Sequence, residues 1–209
     1  MTDSRPIRVL VVDDHAALRE GVAAILARES DIAVIAEATN GDEAILAFRA
    51  QRPDVMLLDL QMPVRGGIEV IHEIRKDHPA ARIIVLTTYE GDAQAVRALK
   101  AGAAGYLLKS SLRKELLDAI RAVHAGRRYV LAEVAHEIAI HAAEEPLSAR
   151  EIAILTAVAD GKPNKAIARD FALSEDTVKA HLRSIFSKLD VNDRTKAVTI
   201  ALRRGIIAL

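Results

Sequence analysis

Asp13 and Asp14 follow one apolar run, Asp59 follows another, and Thr87 and Lys109 follow two more. Each run has the length and residue types of a buried strand, so these polar side chains leave a sheet where its strands stop. Three carboxylates at one edge repel each other and need a cation to offset them. Hard oxygen ligands, with no His or Cys among them, favour Mg2+, with water and a phosphate completing an octahedron. Asp59 can then attack phosphorus as a nucleophile. Lys109 sets a positive charge on the phosphoryl oxygens, and Thr87 can donate a hydrogen bond to one of them. A single Asp after a strand is usually a cap or turn residue, and a single Thr a strand-end hydroxyl. The inference rests on the set, drawn from four strands.

The last third of the chain carries a different chemistry. Asn164–Phe171 reads as a short helix, Ala172-Leu173-Ser174 as a tight connection, and Glu175–Leu189 as a second helix with Ser174 as its N-cap. Val178, Leu182, Ile185 and Leu189 form its apolar stripe. Lys179, Ala180, Arg183 and Ser187 fall on another face. Lys and Arg can bond guanine edges, and Ala180 permits close approach or contact with a thymine methyl, so this face suits a DNA major groove. Lys165, Lys188 and Arg194 are placed to reach phosphates. A basic helix face is more often merely solvated, so the cations alone decide little.

The elements that must hold these residues follow from periodicity. Strands are expected at Ile7–Val12, Ile32–Ala38, Val55–Leu58, Ile83–Leu86 and Gly105–Leu108. Helices are expected at Ala16–Arg28, Gly41–Gln51, Ile68–Asp77, Asp92–Ala101 and Lys114–Ala125. Five strands alternating with five helices imply a doubly wound parallel α/β sheet, with ligands bound beyond the carboxyl ends of its strands. Leu131–Ala143 reads as a helix of unclear packing, and Glu144-Glu145-Pro146 as a break. Four short helices follow, near Ala149–Ala159, Asn164–Phe171, Glu175–Leu189 and Arg194–Arg204. The division expected is 1–126, a linker over 127–146, and a small all-α domain over 147–209.

The 209 residues are 51% hydrophobic but only 3% aromatic, so aliphatic side chains must fill the core. Without Cys, disulfides, thiol catalysis and thiolate metal sites are excluded. The net charge of zero conceals an asymmetry. Residues 1–146 hold 18 basic and 22 acidic side chains, while residues 147–209 hold 11 and 7. An acidic front and a basic rear suit partners of opposite charge. No run reaches membrane-spanning length and no secretory leader is apparent, so a cytoplasmic protein without a membrane partner is expected.

Val11-Val12-Asp13-Asp14, Leu58-Asp59-Leu60-Gln61-Met62-Pro63, Leu86-Thr87-Thr88 and Gly105-Tyr106-Leu107-Leu108-Lys109 resemble the receiver domain of two-component response regulators. Leu147-Ser148-Ala149-Arg150-Glu151, Asn164-Lys165-Ala166-Ile167-Ala168, Leu173–Lys179 with Ala180-His181, and Lys188-Leu189-Asp190-Val191 resemble the LuxR-type helix-turn-helix domain. Together they resemble the NarL/FixJ family. The resemblance implies a flavodoxin-like receiver of five strands in which a sensor histidine kinase phosphorylates Asp59. It places the backbone carbonyl of Gln61 in the metal shell with Asp13, Asp14 and Asp59. It makes Thr87 and Tyr106 the switch pair, with Thr87 turning to the phosphate and Tyr106 rotating inward. Gln61 and Tyr89 would tune the phosphate's lifetime. Lys179, Ala180 and Arg183 would face bases, and Val198, Ala201 and Leu202 would join two copies on double-stranded DNA. RNA polymerase is a further candidate partner. No enzymatic role is expected beyond the receiver's own phosphoryl transfer and dephosphorylation. One departure is Lys109-Ser110, where many receivers have Lys-Pro.

Other patterns lead nowhere. His136 and His141 approach a zinc-protease spacing, but five residues rotate ~140° around a helix, so the rings diverge. His15 reads as a surface residue at a helix start. Gly66-Gly67 is a turn without the rest of a phosphate-binding loop.

Overall fold

In a computed structural model of the protein, residues 5–88, 92–141 and 144–207 are described. The described residues fall into two compact units, one holding 5–88 and 95–133 and the other 92–94, 134–141 and 144–207, so the start of the helix Asp92–Ala101 is grouped with the second. The first is built on strands β1 (Ile7–Val12), β2 (Ile32–Ala38), β3 (Val55–Asp59), β4 (Ile83–Thr87), β5 (Gly105–Leu108) and β6 (Tyr129–Val130). Between them run helices α1 (Ala16–Leu26), α2 (Gly41–Gln51), α3 (Gly67–Asp77), α4 (Asp92–Ala101) and α5 (Leu112–His124). All the strand pairings are parallel, in the order β2-β1-β3-β4-β5-β6.

The sheet thus has six strands rather than the five expected. Tyr129 and Val130 pair with Gly105 and Tyr106. The Tyr129 amide donates to the Ala104 carbonyl at 3.0 Å, and its hydroxyl meets Glu115. Two residues are too few for a periodic signal, so only the existing edge of β5 reveals this strand. The 127–146 stretch also holds helix α6 (Ala132–His141). Residues 142 and 143, at the end of the expected 131–143 helix, lie outside the described residues.

β3, β4 and β5 are buried at every position, as apolar strands covered on both faces must be, whereas the edge strand β2 is half exposed. β1 is flanked by β2 on one side and β3 on the other, so the strand order reverses there and opens a crevice at the carboxyl ends. Register does the rest. Val12 lies opposite Leu58, Asp59 opposite Leu86 and Thr87 opposite Leu108. Asp13, Asp59, Thr87 and Lys109 are therefore delivered to the same edge.

The second unit packs α7 (Ala149–Ala159), α8 (Asn164–Asp170), α9 (Glu175–Lys188) and α10 (Arg194–Arg203) around Ile154, Leu155, Ile167, Val178, Ile185 and Ala201. Side-chain caps start three of the four. Ser148 and Glu151 form a capping box on α7, Ser174 accepts from the Thr177 amide on α9, and Asp193 accepts from Lys196 on α10. The turn joining α8 to α9 passes through Ala172 in the left-handed region, φ +54°.

One glycine controls the wall behind the pocket. The Gly67 amide donates to the Leu60 carbonyl at 3.1 Å, and a Cβ there would run into the Asp59 carbonyl oxygen and lie 2.8 Å from Leu60 Cα. Backbone cannot yield as a flexible side chain would. Gly67→Ala is expected to cost about 2 kcal/mol by the usual scale of overpacking, read as a lower urea midpoint at unchanged slope. Stability equal to wild type would show that the turn has slack.

Candidate phosphoacceptor pocket and nucleic-acid interface

Asp13 is 0% exposed, Asp59 2% and Thr87 1%, an uncommon depth for polar groups. The ammonium of Lys109 joins two of them, 2.7 Å from Asp13 Oδ2 and 2.8 Å from Asp59 Oδ2. Asp59 Oδ1 accepts from the Gln61 amide at 3.2 Å, and Asp13 Oδ1 accepts from the His15 amide at 2.9 Å. Asp14 stands at the mouth, its side chain 32% exposed, with His15 Nδ1 2.7 Å from its Oδ1. Ligand atoms of Asp13, Asp14, His15 and Asp59 all lie within 4.8 Å of one another. His15 does open α1, as its N-cap residue, but its ring also leans on the acid cluster.

The charges explain one another. Burial raises the Asp59 pKa; hydrogen bonds from Lys109 and the Gln61 amide pull it down without cancelling the rise, and the Asp13 charge adds to it. For Lys109, burial disfavours the charge, but the hydrogen bonds to Asp13 and Asp59 outweigh it and raise the pKa. Three carboxylates against one ammonium leave a negative excess, and their donors are hard oxygens. The set fits a hard divalent cation bound at the mouth and does not suit a soft metal.

Behind the pocket, Tyr106 is fully buried, and its hydroxyl is hydrogen-bonded to Thr87. Burial pushes its pKa up to about 12. The expected switch pair is thus in contact. Tyr89 lies outside the described residues. No described peptide bond is cis, Lys109–Ser110 included.

On α9, Val178, Leu182 and Ile185 face the core, while Lys179, Ala180 and Arg183 are exposed, as the spacing predicts. Lys179 makes an exposed i,i+3 pair with Asp176 at 3.0 Å, a contact worth little in water. Arg183 and Lys165 are exposed. Three other assignments need correction. Lys188, assigned to phosphates, is engaged within its own unit: its ammonium lies 3.0 Å from Glu151 Oε2 and 2.9 Å from Glu145 Oε1, and its side chain is 15% exposed. Arg194 turns inward, donating to the Lys162 carbonyl at 2.5 Å and to the Val158 carbonyl at 3.4 Å, so it braces the α7–α8 turn. Ala201 is 0% exposed and belongs to the core; only Val198 and Leu202 of that trio retain accessible surface. All three errors come from judging exposure by helical position without knowing which helix lies opposite.

Sequence reasoning also missed Glu151. It is 4% exposed, accepts from Ser184 Oγ at 2.7 Å and from the Ser148 amide at 2.8 Å, and pairs with Lys188. The Ser-x-x-Glu spacing was a visible cue for the cap, but its links to Ser184 and Lys188 were not visible.

Comparison with known proteins agrees with both halves. Residues 9–121 match the response regulator receiver domain, and residues 145–201 match the bacterial regulatory proteins of the luxR family. The transcriptional regulatory protein LiaR of Bacillus subtilis (strain 168) is 40% identical over 209 residues, covering 96% of this chain and 99% of LiaR. The crystal structure of ChrA, a response regulator in a heme-sensing two-component system, is 38% identical, with TM-score 0.58, over 97% of this chain and 99% of that one. The structure of an RcsB–DNA complex, at 24% identity and TM-score 0.72 over 95% and 99%, shares the fold.

For Glu151, burial would raise the pKa, but hydrogen bonds from Ser184, Ser148 and Lys188 outweigh it and bring it to about 2. A depressed carboxylate stabilises the fold above its unfolded pKa of 4.5, and that contribution fades as pH falls towards about 2. Hydrogen-exchange protection factors in α7 and α9, taken against the intrinsic rate at each pH, should therefore fall across this window. Glu151→Gln should flatten the dependence and cost about 3 kcal/mol at neutral pH, since Lys188 would lose its buried partner. An unaltered pH profile in the variant would remove Glu151 from this role.

Proposed function

The chain belongs to the two-component response regulators that join a receiver domain to a LuxR-type DNA-binding domain, and we propose that phosphorylation of Asp59 by a sensor histidine kinase governs its dimerisation and its binding to specific DNA. DNA binding and regulation of transcription come with the family. The observation that carries the proposal is the Lys109 ammonium held between two buried carboxylates at the strand ends, with the partly exposed Asp14 carboxylate at the mouth beside them.

Asp13, Asp14, Asp59 and the Gln61 backbone carbonyl would hold Mg2+ here, which would neutralise the acid cluster and the phosphoryl oxygens. The chain's own residues do the remaining work. The ionised Asp59 carboxylate donates an electron pair to phosphorus, forming the acyl phosphate as the bond from phosphorus to the donor breaks, and the pair of that bond leaves with the donor nitrogen. Lys109 keeps its proton throughout and can move from carboxylate to phosphoryl oxygen over a short distance. Thr87 can exchange its contact with Tyr106 for one with the phosphate, so the charge change reaches β5 directly. Two arrangements of this pair would give the bistable element that a switch needs.

No enzymatic activity is proposed beyond this self-phosphorylation and its hydrolysis. The partners proposed are the kinase, double-stranded DNA, a second copy of the chain through Val198 and Leu202, and RNA polymerase, with the cytoplasm as the compartment. Among the described residues no helix is long and apolar enough to cross a membrane.

With a small phosphoryl donor and Mg2+, the intact protein should gain the mass of one phosphoryl group, and Asp59→Asn or a chelator should prevent it. Uptake that persists in Asp59→Asn would place the acceptor elsewhere. On DNA, Arg183→Ala should lose about 1–3 kcal/mol for a specific site while binding random sequence nearly as before. Lys165→Ala should weaken both equally and reduce the salt slope by about 1. Lys188→Ala should lower stability and leave the salt slope unchanged; a reduced slope would return Lys188 to the interface.

A further inference from the structure

At the amino ends of β4, β5 and β6, the sheet edge opposite the acidic pocket, lies a second concavity. Its volume is about 250 Å³, and it is lined by Arg75, Arg82, Arg127 and Arg128 among small and aliphatic residues, with no carboxylate and no aromatic ring in the lining. Five other arginines of this unit meet acids: Arg5 pairs with Asp54, Arg19 with Glu37, Arg49 with Asp77, Arg65 with Asp42 and Arg121 with Asp31. Arg82, Arg127 and Arg128 are exposed and make no ion pair among the described residues.

Part of this charge has a structural reason. α3 and α5 end here, and the carbonyl ends of helices favour nearby cations. That accounts for a basic side chain at either helix end, but not for four guanidinium groups around one cavity, where they repel each other. The wall is also held in place. Arg75 is half buried, donates to the Ala81 carbonyl at 3.0 Å, and lies across Gly102, whose φ of +112° and missing Cβ make room for it. At the rim, Gly126 has φ +80° and no atom within 4 Å of where a Cβ would stand, so that side is open.

We propose that this arginine-lined cavity binds a diphosphate group, either free pyrophosphate or the phosphate tail of a nucleotide. Guanidinium forks match phosphate oxygens two at a time, which neither chloride nor a single carboxylate can exploit as fully. The volume is below the roughly 300–1,000 Å³ of ordinary ligand pockets, so it takes the phosphates and little more. With no aromatic surface for stacking, a base would remain in solvent and go unread. Arg127 and Arg128 directly precede β6, whose Val130 pairs with Tyr106, so occupancy would pin that strand to the sheet beside the switch tyrosine. The site would thus be a second input to the receiver, separate from Asp59.

The test is calorimetric titration of the full chain carrying Asp59→Asn, free of Mg2+ and at constant ionic strength, with pyrophosphate, ADP, AMP and sulfate. Saturable binding of pyrophosphate to one site is expected, with AMP and sulfate far weaker. ADP equal to pyrophosphate identifies a nucleotide tail as an acceptable source, while pyrophosphate alone identifies the free ion. The double variant Arg127→Ala with Arg128→Ala should reduce affinity roughly tenfold or more, and Arg113→Ala, an exposed arginine on α5 outside the lining, should not. Thermal unfolding without ligand checks that the double variant is folded. Pyrophosphate binding no better than sulfate, binding unaffected by the double variant, or equal loss in Arg113→Ala would each overturn the proposal, leaving the arginines as helix-end charges. A site that ignores pyrophosphate yet takes short duplex DNA would overturn it as well.

Discussion

A single partly buried ammonium holds the receiver pocket together. Asp13 and Asp59 come to the same edge because β1 and β3 are neighbours in register, and two nearly inaccessible carboxylates side by side would otherwise repel each other at high cost. Lys109 reaches both from the end of β5, three strands from β1. The position of that lysine depends on every strand between, so the chemistry of the pocket and the integrity of the sheet cannot be separated. The arrangement is compensated but still net negative, which makes it receptive to a divalent cation and then to a phosphoryl group.

The same principle recurs in the helical unit with the signs reversed. There a buried carboxylate, Glu151, organises Ser148, Ser184 and Lys188 from the two helices it joins. Its cost is met by hydrogen bonds, and it fixes the angle at which α9 presents Lys179, Ala180 and Arg183. In each unit a buried charge is satisfied by groups distant in sequence, and the exposed face beside it is left for a partner. The sheet's other edge differs, because its arginines surround space instead of acids.

Much of the receiver was legible because its signals are local. A buried parallel strand is an unbroken apolar run, and the polar residue that ends it stands out; Asp13, Asp59, Thr87 and Lys109 were found in this way. The exposed face of α9 was legible from the spacing of Val178, Leu182 and Ile185. Errors arose where a residue's surroundings come from another element. Lys188 reads as a surface cation until Glu151 is placed opposite it, Arg194 until the carbonyls of the α7–α8 turn are, and Ala201 reads as a dimer contact until α10 is packed against the other helices.

From the order of residues alone came the strand ends, the acidic set and its lysine, the Ser174 cap and the two-part plan, because each depends on neighbours within a few positions and on the periods of helix and strand. The tertiary structure alone decided which charges are neutralised, and therefore which are available. It recruited β6 to an edge its two residues could not announce, turned Lys188 and Arg194 inward, and drew Arg75, Arg82, Arg127 and Arg128 around one cavity from three separate segments. Coulombic and packing energies depend on distance in space, and distance along the chain does not report it.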